Sequence, residues 1–186
     1  MPPGPRVEYS LDLIVSLGWL ILVIICCFSK FCILSLLCNR RAATVANVFR
    51  ERVVAVFGTP AAVQTDNGTE FKGEFAAYCT AAGIRCKRSC PYTSHLQGVV
   101  ERLHRTVESM LRQCLVTGDI STLPWLTADI QLAINVTYAR SIGCPPYLVL
   151  FGTPAPTAPA LAALPDPTTV TVAKYATAVQ HQLRTV

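Results

Sequence analysis

A long apolar stretch between residues 13 and 38 constrains the fold of this chain more than any other feature. From Leu17 to Phe28 every residue is apolar or glycine. The clearly polar side chains of the whole stretch are Ser16, Ser29, Lys30 and Ser35. A helix of this length could cross a bilayer, and Arg40 and Arg41, which follow it, would suit the cytoplasmic end of such a span.

The same stretch can also be read as strands. Ile21, Val23, Ile24 and Ile25 are β-branched, and such residues favour strands that are buried on both faces. The tetrapeptide 28–31, Phe-Ser-Lys-Phe, interrupts the apolar run where a hairpin turn would fall. The residues themselves leave both interpretations open.

The rest of the chain alternates between helical and strand patterns. The patterns predict strands over 7–16, 19–28, 31–37, 61–65 and 84–90, and helices over 42–57, 72–82, 99–116 and 123–138. In the 42–57 helix the predicted buried face consists of Val45, Val48, Phe49, Val53, Val56 and Phe57. Three strands followed by alternating helices and short strands predict an α/β domain with a mixed five-stranded sheet flanked by helices.

The chain divides by composition into three parts. Residues 1–152 carry the predicted domain, 153–168 are rich in proline and alanine and are expected to form a linker, and 169–186 could form a helical tail. Charged residues make up only 15% of the chain, below the roughly 25% of a typical soluble domain. A large fraction is therefore buried, or part of it lies in a membrane. The net charge of +5 permits a nucleic-acid or anionic-membrane partner without requiring one.

Nine cysteines are scattered through the chain without a CxxC pair, and the three histidines are not spaced like zinc ligands. Such a pattern indicates reduced, buried thiols in an intracellular protein.

Three acids fall where a sheet could gather them. Asp12 lies inside an apolar strand, Asp66 ends the strand that follows the 42–57 helix, and Glu101 lies in the first turn of the 99–116 helix. An acid inside an apolar strand is costly unless it is paired or binds a metal, and converging carboxylates suit Mg²⁺. Simpler readings remain open, since Asp66 before Asn-Gly could be a turn residue and Glu101 could stabilise a helix N-terminus.

Several ordered motifs resemble those of retroviral and Gypsy-type integrase catalytic cores. The segments 57–60 and 63–71 are similar to the turn and the "DNG" motif that carry the family's second aspartate. The segment 91–102 resembles the stretch that bears the catalytic glutamate, and 141–152 resembles the closing segment. Upstream, Ser10–Ile14 and Val23–Phe31 resemble the first-aspartate strand and the hairpin after it.

The resemblance implies an RNase H-like fold in which the apolar stretch forms adjacent strands, so a membrane span is disfavoured. It also implies DNA integration by polynucleotidyl transfer, with two Mg²⁺ or Mn²⁺ ions held by the triad Asp12, Asp66 and Glu101. Asp12 and Asp66 would hold one ion, and Asp12 and Glu101 the other. No small-molecule cofactor is expected.

DNA is the expected partner, and the chain is expected to form a homo-oligomer and to act in the nucleus. Lys87, Arg88, Arg102 and Arg105 could contact phosphates, although each could equally be a solvated surface charge.

Some features depart from the family pattern. The spacing between Asp66 and Glu101 is one residue shorter than usual, Cys26 replaces a common aspartate outside the triad, and His104 replaces a common asparagine. The resemblance does not extend to the zinc-binding and C-terminal DNA-binding domains that full integration uses. Two other hypotheses therefore remain: an inactive relic that binds nucleic acid or other proteins through the same fold, and a membrane-anchored protein.

Overall fold

The structure is a computed structural model, and it describes residues 4–16, 18–88, 104–105, 107–109, 112 and 123–156. Five strands form one sheet: β1 Glu8–Ser16, β2 Trp19–Cys26, β3 Cys32–Leu37, β4 Ala62–Thr65 and β5 Arg85–Arg88. The helices are α1 Ala42–Phe49, α2 Ala55–Phe57, α3 Glu74–Ala81, α4 Leu123–Val136 and α5 Pro146–Phe151. A π-helical segment, Arg50–Val54, joins α1 to α2, and a 3₁₀ turn spans Thr69–Phe71.

The strand order is β3-β2-β1-β4-β5. The pairs β1–β2 and β2–β3 are antiparallel, whereas β1–β4 and β4–β5 are parallel. The predicted mixed five-stranded sheet is therefore confirmed, and the strand bounds agree with the expected ones to within about two residues.

The apolar stretch is explained by burial of the sheet on both faces. In β2, Leu22 and Ile24 pack on the face covered by α1 and α3. Their neighbours Ile21 and Val23 pack on the opposite face, with Val107 and with Ile130 of α4. A strand with both faces covered needs apolar side chains at every position, so the alternating polar pattern of a half-exposed strand is missing.

This arrangement decides between the two interpretations of residues 13–38. The stretch holds the end of β1, all of β2 and all of β3. In the part of the chain that the structure describes, no helix has the length and apolar character needed to cross a membrane.

The first strands are joined by a tight hairpin. Ser16 pairs with Trp19, so two residues connect β1 to β2, and Gly18 has a positive φ of 82° that suits such a turn.

The predicted linker and tail lie almost wholly outside the described residues. Residues 153–156 form neither helix nor strand, and 157–186 lie beyond the described part. The division at residues 152 and 168 therefore stays a prediction.

Candidate active site

Asp12 and Asp66 are brought together by the parallel pairing of β1 with β4. The last residue pair of that register is Leu11 with Thr65. Asp12 and Asp66 each follow directly in the chain, so the same register places them side by side on neighbouring strands, whose spacing is about 4.8 Å. The register therefore places two of the three predicted acids at neighbouring backbone positions where the β1–β4 pairing ends.

Asp12 lies on the sheet face that the helical residue His104 approaches. The His104 Nε2 atom is 3.2 Å from Oδ2 of Asp12, a distance typical of an ion pair once the imidazole is protonated. The contact lacks hydrogen-bond geometry, because Nε2 makes no hydrogen bond. His104 and Asp12 thus form a close polar contact without a hydrogen bond.

Asp12 is more exposed than its position inside an apolar strand predicted. Its side chain retains 31% of its exposure, and its Oδ1 atom accepts a hydrogen bond from the Leu13 N–H at 2.7 Å. The carboxylate is thus open to water on one side. The energetic argument that a buried acid demands a metal is correspondingly weaker here.

Asp66 is exposed at the end of β4, in the turn formed by Asp66-Asn67-Gly68. Its Oδ1 atom accepts a hydrogen bond from the Gly68 N–H at 2.9 Å. This is the bond by which an aspartate stabilises a turn. Asp66 is therefore a turn residue, as the simpler interpretation of the sequence predicted. This role is compatible with metal binding, because the second carboxylate oxygen of Asp66 takes no part in the bond to Gly68.

Glu101 lies outside the described residues, as do Arg102 and the 91–100 segment. Within the described part of the chain, no three His, Cys, Asp or Glu side chains gather into a group that could hold a metal ion. The triad therefore stays a prediction. The donors that are described, two carboxylates side by side, have the hard oxygen chemistry that Mg²⁺ and Mn²⁺ favour.

The predicted DNA-contacting residues occupy different surroundings. The Lys87 Nζ atom lies 2.8 Å from Oε2 of Glu8, so this ammonium already has a carboxylate partner. Arg105 is exposed beside His104. Arg88 is the last residue of β5.

Sequence reasoning missed a second acid near Asp66. Glu70 is buried at 4% exposure, and its Oε1 atom accepts a bond from Nη2 of Arg40 at 3.1 Å. Its presence four residues after Asp66 is visible in the sequence, but its burial and its arginine partner are not, because Arg40 precedes it by thirty residues.

Comparison with known proteins agrees with this architecture. Residues 14–94 match the family model described as "Integrase core domain". That match contains Asp66 but ends before Glu101 and begins after Asp12. The Gag-Pol polyprotein of woolly monkey sarcoma virus is 33% identical over 117 residues, which cover 62% of this chain and 7% of that protein. The Pol polyprotein from transposon 412 of Drosophila melanogaster is 28% identical over 151 residues, covering 81% of this chain and 12% of that protein.

Solved structures share the fold. The catalytic core domain of BIV integrase aligns with a TM-score of 0.67 and 21% identity, covering 79% of this chain and 95% of that one. The HTLV-2 integrase catalytic core in complex with magnesium, in a trimeric form, aligns with a TM-score of 0.67 and 18% identity, covering 80% and 99%. At these identities the likeness concerns the fold alone.

The sheet order and the helices on both faces have the arrangement of an RNase H-like fold, which the solved integrase cores share. Within that fold, residues 14–94 are similar in sequence to the integrase core domain family, which agrees with the resemblance of the motifs to retroviral and Gypsy-type integrase cores. The chain spans about a tenth of the length of the polyproteins it matches.

Proposed function

We propose that this chain is the catalytic core of a metal-dependent polynucleotidyl transferase that acts in DNA integration. The observation that carries the proposal is the register of β1 and β4, which aligns Asp12 with Asp66 in a chain whose motifs are those of integrase cores. A water molecule or a DNA 3′-hydroxyl would attack the phosphorus of a phosphodiester in line, so that a new P–O bond forms while the opposite P–O bond breaks and its oxygen leaves as a hydroxyl group. The HTLV-2 core, which shares the fold, is described in complex with magnesium, and this supports the choice of metal.

Asp12 and Asp66 would hold one Mg²⁺ or Mn²⁺ ion, and Asp12 and Glu101 a second. Divalent ions at such a site activate an attacking oxygen and stabilise the leaving oxygen. Glu101 precedes His104 by three residues, which in one continuous helix would put the two side chains on the same face. The contact of His104 with Asp12 supports the proposal that Glu101 shares a metal ion with Asp12.

A strand-transfer or disintegration assay of the purified chain with Mg²⁺ or Mn²⁺ tests the proposal. We expect Asp66→Asn and Glu101→Gln to reduce product to the level without protein, because each loses a charged ligand. Asp129→Asn, an equal charge change at an exposed position of α4, serves as the control and should retain wild-type activity. Wild-type activity in both triad variants would refute the metal triad.

The second candidate is an inactive relic that still binds nucleic acid. The shortened spacing between Asp66 and Glu101 favours it. The assay separates the two hypotheses, since a folded wild-type chain that binds DNA but forms no product with either metal would support the relic.

DNA binding is proposed through Arg105, with Lys87, Arg88 and Arg102 as further contacts. Arg105 is exposed beside the residue that contacts Asp12, whereas Lys87 would have to exchange its Glu8 partner for a phosphate. Each lost phosphate contact lowers the salt dependence of binding by about one unit in the log–log slope. Arg105→Gln should therefore flatten the salt dependence, while Lys87→Gln should change it less.

We also propose that the chain forms a homo-oligomer and acts in the nucleus, where chromosomal DNA lies. Trp125 and Leu132 of α4 are 75% and 50% exposed and seven residues apart, so they lie on one helix face. The HTLV-2 cores of the same fold are described as trimeric and dimeric forms. Trp125→Glu should shift the sedimentation coefficient toward that of a monomer. A wild-type chain that is already monomeric at high concentration would contradict the oligomer.

A further inference from the structure

Glu70 is a buried carboxylate that the proposed reaction does not use directly. It lies in the 3₁₀ turn Thr69–Phe71, immediately after the turn that holds Asp66, and only 4% of its surface is exposed. A buried acid needs a counter-charge, and here Nη2 of Arg40 supplies it at 3.1 Å. Arg40 precedes α1, so the ion pair links the connection after β3 to the turn after β4.

The Glu70 carboxylate fills the space beside Gly68, the residue midway between Asp66 and Glu70 in the chain. A Cβ atom on Gly68 would lie 2.8 Å from both Cδ and Oε2 of Glu70, and 3.0 Å from Oδ1 of Asp66. The Gly68 φ of −54° is accessible to any residue, so the backbone conformation does not require glycine. Glycine is required here for space, because the carboxylates of Glu70 and Asp66 occupy the volume that a side chain on residue 68 would fill.

The main chain of Gly68 in turn holds Asp66. Its N–H donates to Oδ1 of Asp66 at 2.9 Å. A continuous series of contacts therefore runs from Arg40 through Glu70 and Gly68 to Asp66.

We propose that Glu70 is a positioning residue for Asp66. Held by Arg40, its carboxylate packs against Gly68 and thereby fixes the N–H group that orients the Asp66 carboxylate. Because the Arg40 cation offsets the Glu70 charge, Glu70 acts through geometry and not as a ligand. This inference rests on the proposed role of Asp66 in metal binding.

Mn²⁺ binding to the purified chain, followed by electron paramagnetic resonance, tests the inference without relying on activity. Glu70→Gln keeps the shape and the hydrogen bond to Arg40, so its affinity should stay close to that of the wild type. Glu70→Ala and Arg40→Gln should weaken Mn²⁺ binding by about tenfold, the effect usual for residues that orient a metal ligand. Arg41→Gln, the same charge change at the neighbouring exposed arginine, is the matched control and should leave the affinity unchanged.

The melting temperature of each variant is measured first, and binding is compared where all variants are folded. Affinities of Glu70→Ala and Arg40→Gln equal to the wild type would overturn the positioning role while leaving the proposed function intact. An equal loss in Glu70→Gln and Glu70→Ala would also overturn it, since Glu70 would then act by its charge. A wild-type chain whose Mn²⁺ binding is absent or insensitive to Asp66→Asn would overturn the proposed metal site together with this inference.

The direct contact is tested by combining substitutions. Gly68→Ala should weaken Mn²⁺ binding in the wild-type background, because its Cβ would displace both carboxylates. In a Glu70→Ala background the same substitution should have a smaller effect, because the Glu70 carboxylate is gone. Strictly additive effects would contradict the contact.

Discussion

At the scale of single residues, Asn135 shows how one side chain can secure a sheet edge. β3 is an edge strand, and the Asn135 Oδ1 atom accepts a bond from the Cys32 N–H at 2.8 Å. Its Nδ2 group donates to the Cys32 carbonyl at 2.7 Å, and the side chain is buried at 2% exposure. One turn earlier, Gln131 accepts a bond from the Leu34 N–H at 2.8 Å. The α4 side chains thus take the place of a neighbouring strand along β3.

Substituting Asn135 by leucine should destabilise the chain strongly. The variant keeps the number and branching of side-chain heavy atoms but leaves the buried N–H and C=O of Cys32 without partners, each costing about 1–3 kcal/mol. We expect a lower urea midpoint with an unchanged m-value. Asn47→Leu, the same substitution at an exposed position of α1, should leave the midpoint nearly unchanged. Equal midpoints for Asn135→Leu and the wild type would contradict the role of this pairing.

At the scale of secondary-structure elements, the 42–57 helix formed where its periodicity predicted, but its buried face was wrong at one position. Val45, Phe49 and Val53 are fully buried, whereas Val56 is 65% exposed. The cause is the π-helical segment Arg50–Val54. A π turn holds more residues than an α turn, so each residue rotates less, and the later residues lag behind the expected positions. Val56 consequently turns outward, while Phe57 packs against the core and contacts Phe31 with ring centroids 6.3 Å apart.

Two matched substitutions test this shifted face. Val53→Ala removes fully buried methyl groups and should lower the free energy of unfolding by about 1–3 kcal/mol. Val56→Ala should change it by less than about 0.5 kcal/mol, as is usual at exposed positions. Chemical denaturation of both variants measures the difference. Comparable losses would mean that the α-helical register continues through residues 50–57.

At the scale of the whole molecule, the cysteines only partly follow the expectation of buried thiols. Among the described residues Cys26, Cys27, Cys32 and Cys79 are buried and Cys38 and Cys86 are exposed, all of them without a disulfide. Burial, with a smaller contribution from the Glu8 carboxylate, raises the pKa of the Cys27 thiol from 9.0 to about 12. Burial likewise raises the pKa of Cys79 to about 12, and contact with Cys86 adds to the rise. The Cys32 pKa is also raised by burial.

These shifts predict a loss of stability in alkali. Above pH 9 the thiols of the unfolded chain release protons that the same thiols retain in the folded chain. Because the unfolded state then binds fewer protons than the folded state, the free energy of unfolding falls as the pH rises toward about 12. The upper limit is about 1.4 kcal/mol per pH unit for each such thiol. Urea midpoints at pH 8 and above pH 9 measure the slope, which Cys27→Ala should reduce and Cys38→Ser should not. Stability that is constant or rises over this range would refute the prediction.

Local patterns predicted the elements well because they depend on neighbours in the chain. The β-branched run of β2 and the helical spacing around Val45 and Phe49 each report a requirement of a few consecutive residues. The Asn-Gly sequence after Asp66 also predicted its turn. Contacts between distant segments cannot be predicted in this way, because periodicity shows which face of an element is buried but not which residue packs against that face. The pairing of Lys87 with Glu8, seventy-nine residues away, could not be predicted for that reason.

The apolar stretch illustrates the same division. The sequence by itself determined that residues 13–38 must be buried almost completely, and its β-branched residues and Ser-Lys turn determined that strands could form there. Tertiary structure alone decided that the burial is inside a sheet covered on both faces, because only the packed helices supply the second apolar surface. The sequence likewise identified Asp12 and Asp66, but the parallel register of β1 and β4 put them side by side. Register depends on how whole strands pack, which no single segment of the chain encodes.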